Sequence, residues 1–377
     1  PGRRAVTRAP VATAALDDLI AALTEIRDGY ALSAERFTDP VDVAEAFRYV
    51  GQVLSLASEL FWEGDPGHPR FASIVSPARK IQGDNPDAIY HYARVDGRRR
   101  YRVTGRIDRQ CYASFTVHGK APDGAMAGPL LGDVNDRDFT VRDDGTYELV
   151  FSADRPADAD NWLELHPDAY AIIVRSYFEL PVSAQNDPSV HVEIDIECLD
   201  ELPPPAPLTD GAIGARMADG VAFVRQATLG QTPPGTSSGV PFVSDVPNDV
   251  ATPFSFRDSG LPVPGAADIF YSMGRWDLGP DEALVMTGTL PPGPFANVML
   301  WNHHMQTLDY RNRRTALNAA QIATGDNGTY RIVVAHRDPG EPNWLDTEGH
   351  ATGTIFWRFL LPEEDPPKPV CEVVALD

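Results

Sequence analysis

The chain has 377 residues and a formal net charge of −22, with 43% hydrophobic and 23% charged residues. That length suits two domains, and the composition is typical of a folded globular protein. The strong negative charge argues against nucleic acid or an anionic membrane surface as a partner, because both would be repelled.

Three cysteines are widely spaced, at Cys111, Cys198 and Cys371. Their odd number and the lack of a Cys-x-x-Cys pair argue against a disulfide framework and a thiolate zinc site, and favour a reducing compartment. No apolar run reaches the roughly 18 residues of a membrane helix, and no signal peptide is visible at the N-terminus. We therefore expect a cytoplasmic chain without a membrane partner.

The first 80 residues are predicted to be helical. Apolar residues recur with helical spacing over 14–29 and again over 41–62, and Pro40 stands where helices often begin. An amphipathic pair of this kind packs against a sheet or a partner subunit, so we expect a homo-oligomer. The polar face of the second segment carries Asp42, Glu45, Arg48 and Glu59.

From residue 87 the pattern changes to short β-strands. Runs rich in Val, Ile, Tyr, Phe and Thr alternate with turn residues, and Asp144-Gly145 is a strong hairpin signal. A proline-rich stretch at 201–209 predicts a stiff connector, and 210–229 a third helix. Residues 230–265 read as a long loop, and the last dozen residues as a tail.

The β-region occurs twice. Short matches follow one another in the same order in both copies at an offset of about 182 residues, which indicates a duplication. In each copy the motif Asn-Trp-Leu is predicted to form a corner, where the indole fills the end of a sandwich and the Asn caps a turn; the alternative is that the indole stacks on a ligand. The matched pairs are Asp87 to Tyr90 with Asp268 to Tyr271, Gly145 to Tyr147 with Gly328 to Tyr330, Asn161 to Leu163 with Asn343 to Leu345, and Arg175 with Arg358.

We therefore predict a mainly β protein with added helices, in which two tandem, duplicated, jelly-roll-like β-sandwiches follow an N-terminal helical segment. The predicted boundaries are 1–80 for the helical segment, 81–200 for the first sandwich, 201–264 for the Pro-rich linker, helix and loop, 265–364 for the second sandwich, and 365–377 for the tail.

The second copy resembles the bacterial domain-of-unknown-function family DUF1214. The resemblance implies a jelly-roll-like β-sandwich with added helices and carries no assigned activity. The Asn-Pro-Asp motif that ends at Asp87, with Tyr90 after it, resembles the companion family DUF1254. The stretches similar to DUF1214 are Gly325-Asp-Asn-Gly-Thr-Tyr330, Ile332-Val-Val-Ala-His336, Asp338-Pro-Gly340, Asn343-Trp-Leu345 and Trp357-Arg-Phe-Leu-Leu-Pro362.

Acidic and aromatic side chains of the second copy indicate one candidate chemistry. Glycoside hydrolysis needs two carboxyl groups about 5–10 Å apart, and an aromatic platform suits a sugar ring. We predict Asp277, Asp309 and Asp346 as catalytic carboxylates. The predicted substrate-binding residues are Trp301, Trp344, Arg358, His336 and His350.

Histidines at predicted strand ends indicate a second chemistry. His303, His336 and His350, together with neighbouring acids, would suit a borderline metal such as Zn²⁺, although no fixed ligand spacing supports a site. The alternative is that these histidines are held by hydrogen bonds in turns. His118 is predicted to take the place in the first copy that His303 takes in the second. The sequence identifies no cofactor.

Arg175 and Arg358 lie on matching predicted strands. They would either clamp a carboxylate or each pair with an acid across its sandwich. Motifs of acyl hydrolases, NTPases and Rossmann oxidoreductases are absent. Three functions stay open: a carbohydrate- or glycoconjugate-active hydrolase that takes a small-molecule or glycan ligand, a non-catalytic ligand-binding or oligomer-assembly module, and a histidine-based metal-dependent enzyme.

Overall fold

The computed structural model describes residues 9–237, 239–257 and 268–376. Two helices begin the described chain, as the sequence predicts, and each continues into a π-helical turn. A third helix follows the proline-rich connector. Pro40 opens the second helix, and Asp39 caps it by accepting the backbone N–H of Val41. The helices are α1 (Pro10–Ile26), α2 (Pro40–Ala57) and α3 (Asp210–Thr228), and the π-helical turns are Arg27–Ala31 and Ser58–Trp62.

The first half of the chain forms a two-sheet sandwich. Its five-stranded sheet has the order β1-β2-β8-β4-β5 and its four-stranded sheet the order β7-β6-β3-β9. Apolar side chains from both sheets meet between them in one core. The strands are β1 (Ala72–Ser73), β2 (Ala88–Arg94), β3 (Tyr101–Arg106), β4 (Tyr112–Gly119), β5 (Leu130–Asn135), β6 (Thr146–Ser152), β7 (Trp162–Glu164), β8 (Ala169–Tyr177) and β9 (Ile194–Cys198).

The second half forms a second sandwich with its own core. Its larger sheet has the order β10-β13-β19-β15-β16, with β11 and β12 also paired to β13, and its smaller sheet has the order β18-β17-β14-β20. A short 3₁₀ turn, Asp326–Gly328, precedes β17. The strands are β10 (Val243–Pro247), β11 (Asp249–Val250), β12 (Phe254–Ser255), β13 (Ile269–Asp277), β14 (Glu282–Thr289), β15 (Phe295–Trp301), β16 (Ala316–Asn318), β17 (Thr329–Ala335), β18 (Trp344–Asp346), β19 (Thr352–Leu360) and β20 (Val370–Ala375).

The mainly β class with added helices is confirmed, and two element predictions are corrected. The predicted tail 365–377 contains β20, which pairs with β14 as β9 pairs with β3. The predicted loop 230–265 contains three short strands along β13, while its residues 238 and 258–265 lie outside the described residues. The finer jelly-roll likeness stays a prediction.

The duplication is visible in the strand pairing. Trp162 lies opposite Val150 in the parallel pair β6–β7, and Trp344 lies opposite Val333 in the parallel pair β17–β18. Each indole N–H donates to the backbone carbonyl of the residue that ends the neighbouring strand. The two tryptophans therefore occupy equivalent positions in equivalent sandwiches.

The Asn before each tryptophan holds a corner, as predicted. The amide of Asn161 donates to the Thr140 carbonyl and accepts the Thr140 backbone N–H. The amide of Asn343 makes the same two bonds with Ala323. Because each amide satisfies one donor and one acceptor of a distant loop, the Asn-Trp-Leu motif has a structural role in both halves.

The two halves are linked by reciprocal hydrogen bonds at their buried contact. Asp87, which precedes β2, accepts bonds from the Asn297 and Asn318 amides of the second half. Asp268, which precedes β13, accepts bonds from Asn135 and the Tyr112 hydroxyl of the first half. Each carboxylate therefore binds side chains of the opposite sandwich.

The larger sheets of the two sandwiches face each other, and the helices close one side of the space between them. A third apolar core joins α2 and α3 to both of these sheets. Within residues 9–237, 239–257 and 268–376, no helix combines the length and apolar composition that a bilayer crossing requires. Association with further copies of the chain stays a prediction.

Candidate functional site

A cavity of about 830 Å³ lies between the two facing sheets. The segment after α3 forms another part of its wall. Its volume lies in the range of sites that bind small organic molecules. Its aromatic wall consists of Tyr90, Tyr177, Phe242, Tyr271, Trp301 and Phe356.

Two arginines enter this cavity from equivalent places in the two halves. Arg175 lies in β8 opposite Tyr90 of β2. Arg358 lies in β19 opposite Tyr271 of β13. Because the two sheets face each other, the duplication places both guanidinium groups on the walls of one cavity.

Arg358 is buried among aromatic rings, with its guanidinium carbon 4.5 Å from the Phe356 centroid and 5.4 Å from the Trp301 centroid. One of its nitrogens donates to the Gly83 carbonyl at 2.7 Å. Arg175 donates to the Thr116 hydroxyl at 2.7 Å.

In the described part of the chain, neither guanidinium makes an ion pair with a carboxylate, so the expectation that each pairs with an acid is wrong. Arg175 and Arg358 therefore bring two positive charges without a carboxylate partner in this part of the chain to a largely apolar cavity, whose wall also includes Arg275, Asp84 and Asp245.

Three other titratable groups of the wall are deeply buried. Burial lowers the pKa of His118 to about 4, so its imidazole is neutral near neutral pH. Burial also raises the pKa of Tyr90 well above its ordinary value, which keeps the phenol protonated. Burial raises the pKa of Asp84, and the charge of Lys80 partly opposes this. The carboxyl of Asp84 accepts the backbone N–H of Thr307 at 2.7 Å.

His118 does not take the place of His303. In the strand register His118 lies opposite Ala171, and Trp301 lies opposite Thr354, so His118 and Trp301 are equivalent. His303 belongs to the loop after β15.

The three predicted catalytic carboxylates have different partners in the structure. Asp277 ends β13 with its side chain 53% exposed. Asp309 accepts bonds from Arg311 and Asn312 of its own turn and faces a second cavity of about 500 Å³. The carboxylate of Asp346 forms an ion pair with the Arg313 guanidinium at 2.7 Å. A hydrolase built on this trio stays a prediction.

The predicted substrate-binding residues are divided between regions. Trp301 and Arg358 line the cavity between the halves. Trp344 lies in β18, an edge strand of the smaller sheet of the second sandwich. His336 contacts the Thr347 hydroxyl at 2.6 Å and the Leu278 carbonyl at 3.3 Å, so both of its ring nitrogens are engaged.

His303 and His350 lie against two acids of α2. The Nδ1 atom of His303 lies 3.0 Å from an Asp42 oxygen, and Nε2 of His350 lies 3.2 Å from a Glu45 oxygen. Burial raises the pKa of Glu45, but the hydrogen bond and the charge of His350 together bring it below its ordinary value. Burial lowers the pKa of His350, and Glu45 reverses this, so that the pKa ends above its ordinary value.

The sequence places these acids on the polar face of α2, where a solvent-exposed position is the usual expectation. In the structure Asp42 is 5% exposed and Glu45 is 7% exposed. The signal that could have identified them is a pair of acids at i and i+3 within an amphipathic helix.

Comparisons with known proteins agree with the duplicated fold. The sequence model of a family described as protein of unknown function (DUF1214) matches residues 91–179 and 281–364, one segment in each half. The segment similar to DUF1254 precedes these matches and stays a prediction. No curated protein matches the chain.

A solved structure with high similarity to this chain shares its fold over nearly its whole length. A crystal structure of an uncharacterised protein from Burkholderia cenocepacia has 33% sequence identity and a TM-score of 0.83, covering 98% of this chain and 99% of that one. A protein from Vibrio parahaemolyticus has 10% identity and a TM-score of 0.45, covering 88% of this chain and 98% of that one.

Proposed function

The chain belongs to the DUF1214 family, and we propose that this member binds an organic anion with an apolar body in the cavity between its two halves. The observation that carries the proposal is that Arg175 and Arg358 line one largely apolar cavity without a carboxylate partner among the described residues. A guanidinium group is a preferred partner of carboxylate and related oxyanions.

The wall chemistry favours an anion over a neutral ligand. A positive charge in an apolar environment is unfavourable unless an opposite charge approaches it. The buried phenol of Tyr90 can donate a further hydrogen bond to an oxyanion, and the neutral imidazole of His118 adds no competing positive charge. The tyrosine, phenylalanine and tryptophan rings then contact the apolar part of the ligand.

A fluorescent dye pair tests this proposal. 8-Anilino-1-naphthalenesulfonate carries an anionic group on an aromatic body, and N-phenyl-1-naphthylamine has the same rings without the sulfonate. We expect the anionic dye to bind at least about tenfold more tightly, because a charge-assisted hydrogen bond contributes on that order. Fluorescence titration of the full chain measures both dissociation constants.

Two variants test whether Arg175 accounts for the tighter binding of the anionic dye. Arg175→Gln is expected to weaken binding of the anionic dye by about tenfold and to leave the neutral dye unchanged. Arg102→Gln is the matched control, since Arg102 pairs with Glu197 on the outer sheet of the first half. Equal affinities for the two dyes, or an unchanged affinity in Arg175→Gln, would contradict the proposal.

A further inference from the structure

A second group of chemistry-bearing side chains lies beside the cavity, where α2 meets the second sandwich. Asp42 and Glu45 come from α2, and His350 comes from the loop before β19. One ligand atom from each of these residues lies within 4.8 Å of the other two. All three residues are buried. The fold brings His350 to Glu45 although the two lie 305 positions apart in the sequence.

The imidazole of His350 is held in a defined orientation. Its Nδ1 atom lies 3.1 Å from the Thr347 carbonyl, which can only accept, so Nδ1 carries the proton of this bond. The Nε2 atom then points toward Glu45. Fixing one ring nitrogen on a backbone carbonyl is the arrangement that orients histidine ligands in metal sites.

The two carboxylates are held by partners outside the group. Asn302 donates to Glu45 at 2.8 Å, and Arg48 forms an ion pair with the other Glu45 oxygen at 2.7 Å. His303, whose other ring nitrogen contacts the Thr352 hydroxyl, holds Asp42. These contacts correspond to the outer hydrogen bonds that support metal ligands.

The two buried carboxylates of this group need positive charge close to them. Asp42 and Glu45 bring two negative charges, and Arg48 brings one positive charge from a half-exposed position. A neutral His350 would also direct the lone pair of Nε2 at a carboxylate oxygen. Either a second proton on the imidazole or a metal cation would supply positive charge to the carboxylates and would separate the Nε2 lone pair from the carboxylate oxygen.

We propose that Asp42, Glu45 and His350 bind a divalent transition-metal ion of the Zn²⁺ or Mn²⁺ type. Two carboxylates with one imidazole form a mixed oxygen and nitrogen set, which suits these ions better than Ca²⁺ or Mg²⁺. Three protein ligands leave a coordination position for a further group, as in catalytic zinc sites. His303 holds Asp42 and also lines the cavity, so the proposed ion lies next to the cavity wall.

Metal titration of the chelator-treated full chain tests this site. We expect about one Zn²⁺ or Mn²⁺ per chain by calorimetry and by elemental analysis after desalting. Substitution with Co²⁺ is expected to give visible d–d absorption bands, a readout that is independent of any activity. Stoichiometry below about one tenth of an ion per chain would overturn the proposal and leave a protonated His350–Glu45 pair in its place.

Matched variants distinguish the proposed metal ligands from other histidines of the chain. Glu45→Gln and His350→Gln are each expected to weaken metal affinity by at least about tenfold and to alter the Co²⁺ bands. His166→Gln is the control, because His166 lies in the first half of the chain with its side chain 47% exposed. Metal bound by Glu45→Gln and His350→Gln as tightly as by the unmodified chain would overturn the assignment, and circular dichroism checks that each variant is folded.

Discussion

Replacing Trp357 with alanine is expected to lower the free energy of unfolding by about 3 to 5 kcal/mol. The indole is fully buried between the two sheets of the second sandwich. Its ring stacks on Phe359 at 5.5 Å and 4° and lies 5.3 Å from the Tyr330 centroid. The substitution would remove these contacts and leave a cavity that strands on both sides cannot close. Urea denaturation followed by far-UV circular dichroism measures the change.

A matched pair of substitutions isolates the packing effect. Trp357→Val introduces valine, the residue type that the first half has at the equivalent position, Val174. This variant should lower the free energy of unfolding less than Trp357→Ala does. Leu208→Ala is the control, because Leu208 is 63% exposed and should change stability by less than about 0.5 kcal/mol. A loss below about 1 kcal/mol in Trp357→Ala would show that the second sandwich is not packed as the structure has it.

The duplicated sandwich could be predicted because its corners depend on local chemistry. Asn161 and Asn343 each sit beside a tryptophan in one short motif, and these residue types are needed wherever the corner recurs. Likewise Gly105 and Gly288 recur because the rings of Tyr147 and Tyr330 occupy the space that a side chain would need. Because these constraints act between a few residues at fixed positions, they leave repeated motifs that a single sequence shows.

Edge strands were harder to predict because exposure weakens their pattern. The side chains of β20 are mostly exposed, so Val370–Ala375 shows no clear alternation of apolar and polar residues. The strands β10 to β12 are short and lie in a segment rich in proline and glycine. The strand conformation of these segments therefore depends on their pairing with other strands rather than on their own composition.

The candidate site could be predicted only in part, because it forms between distant segments. The sequence shows that Arg175 and Arg358 are equivalent, but not that their sheets face each other across one cavity. The acids of α2 meet His303 and His350 through contacts that span most of the chain. Local pattern carries no information on such contacts, and the prediction of Asp277, Asp309 and Asp346 rests only on acids that lie beside aromatic residues in the sequence.

A substitution at the contact between the two halves should lower the free energy of unfolding by about as much as Trp357→Ala does. Replacing Asp87 with alanine is expected to lower the free energy of unfolding by about 2 to 5 kcal/mol. Asp87 is fully buried, and its oxygens accept the Asn318 amide at 2.9 Å and the Asn297 amide at 3.0 Å. Without the carboxylate, two buried amide groups lose an acceptor, and each such loss costs about 1 to 3 kcal/mol.

The matched controls for Asp87→Ala come from the surface and from the opposite half. Asp143→Ala, at an exposed turn, should change stability by less than about 0.5 kcal/mol. Asp268→Ala is also expected to lower stability, because Asp268 accepts bonds from Asn135 and Tyr112 of the first half and pairs with Arg257.

A double-mutant cycle between Asp87→Ala and Asn318→Ala tests whether this loss arises at the contact between the halves. The coupling energy should exceed about 1 kcal/mol, because the two side chains share one buried hydrogen bond. Asp87→Ala should also weaken binding of the anionic dye, since the same contact holds the two facing sheets that carry Arg175 and Arg358. Additive effects on stability together with unchanged dye binding would contradict a cavity whose shape depends on the joined halves.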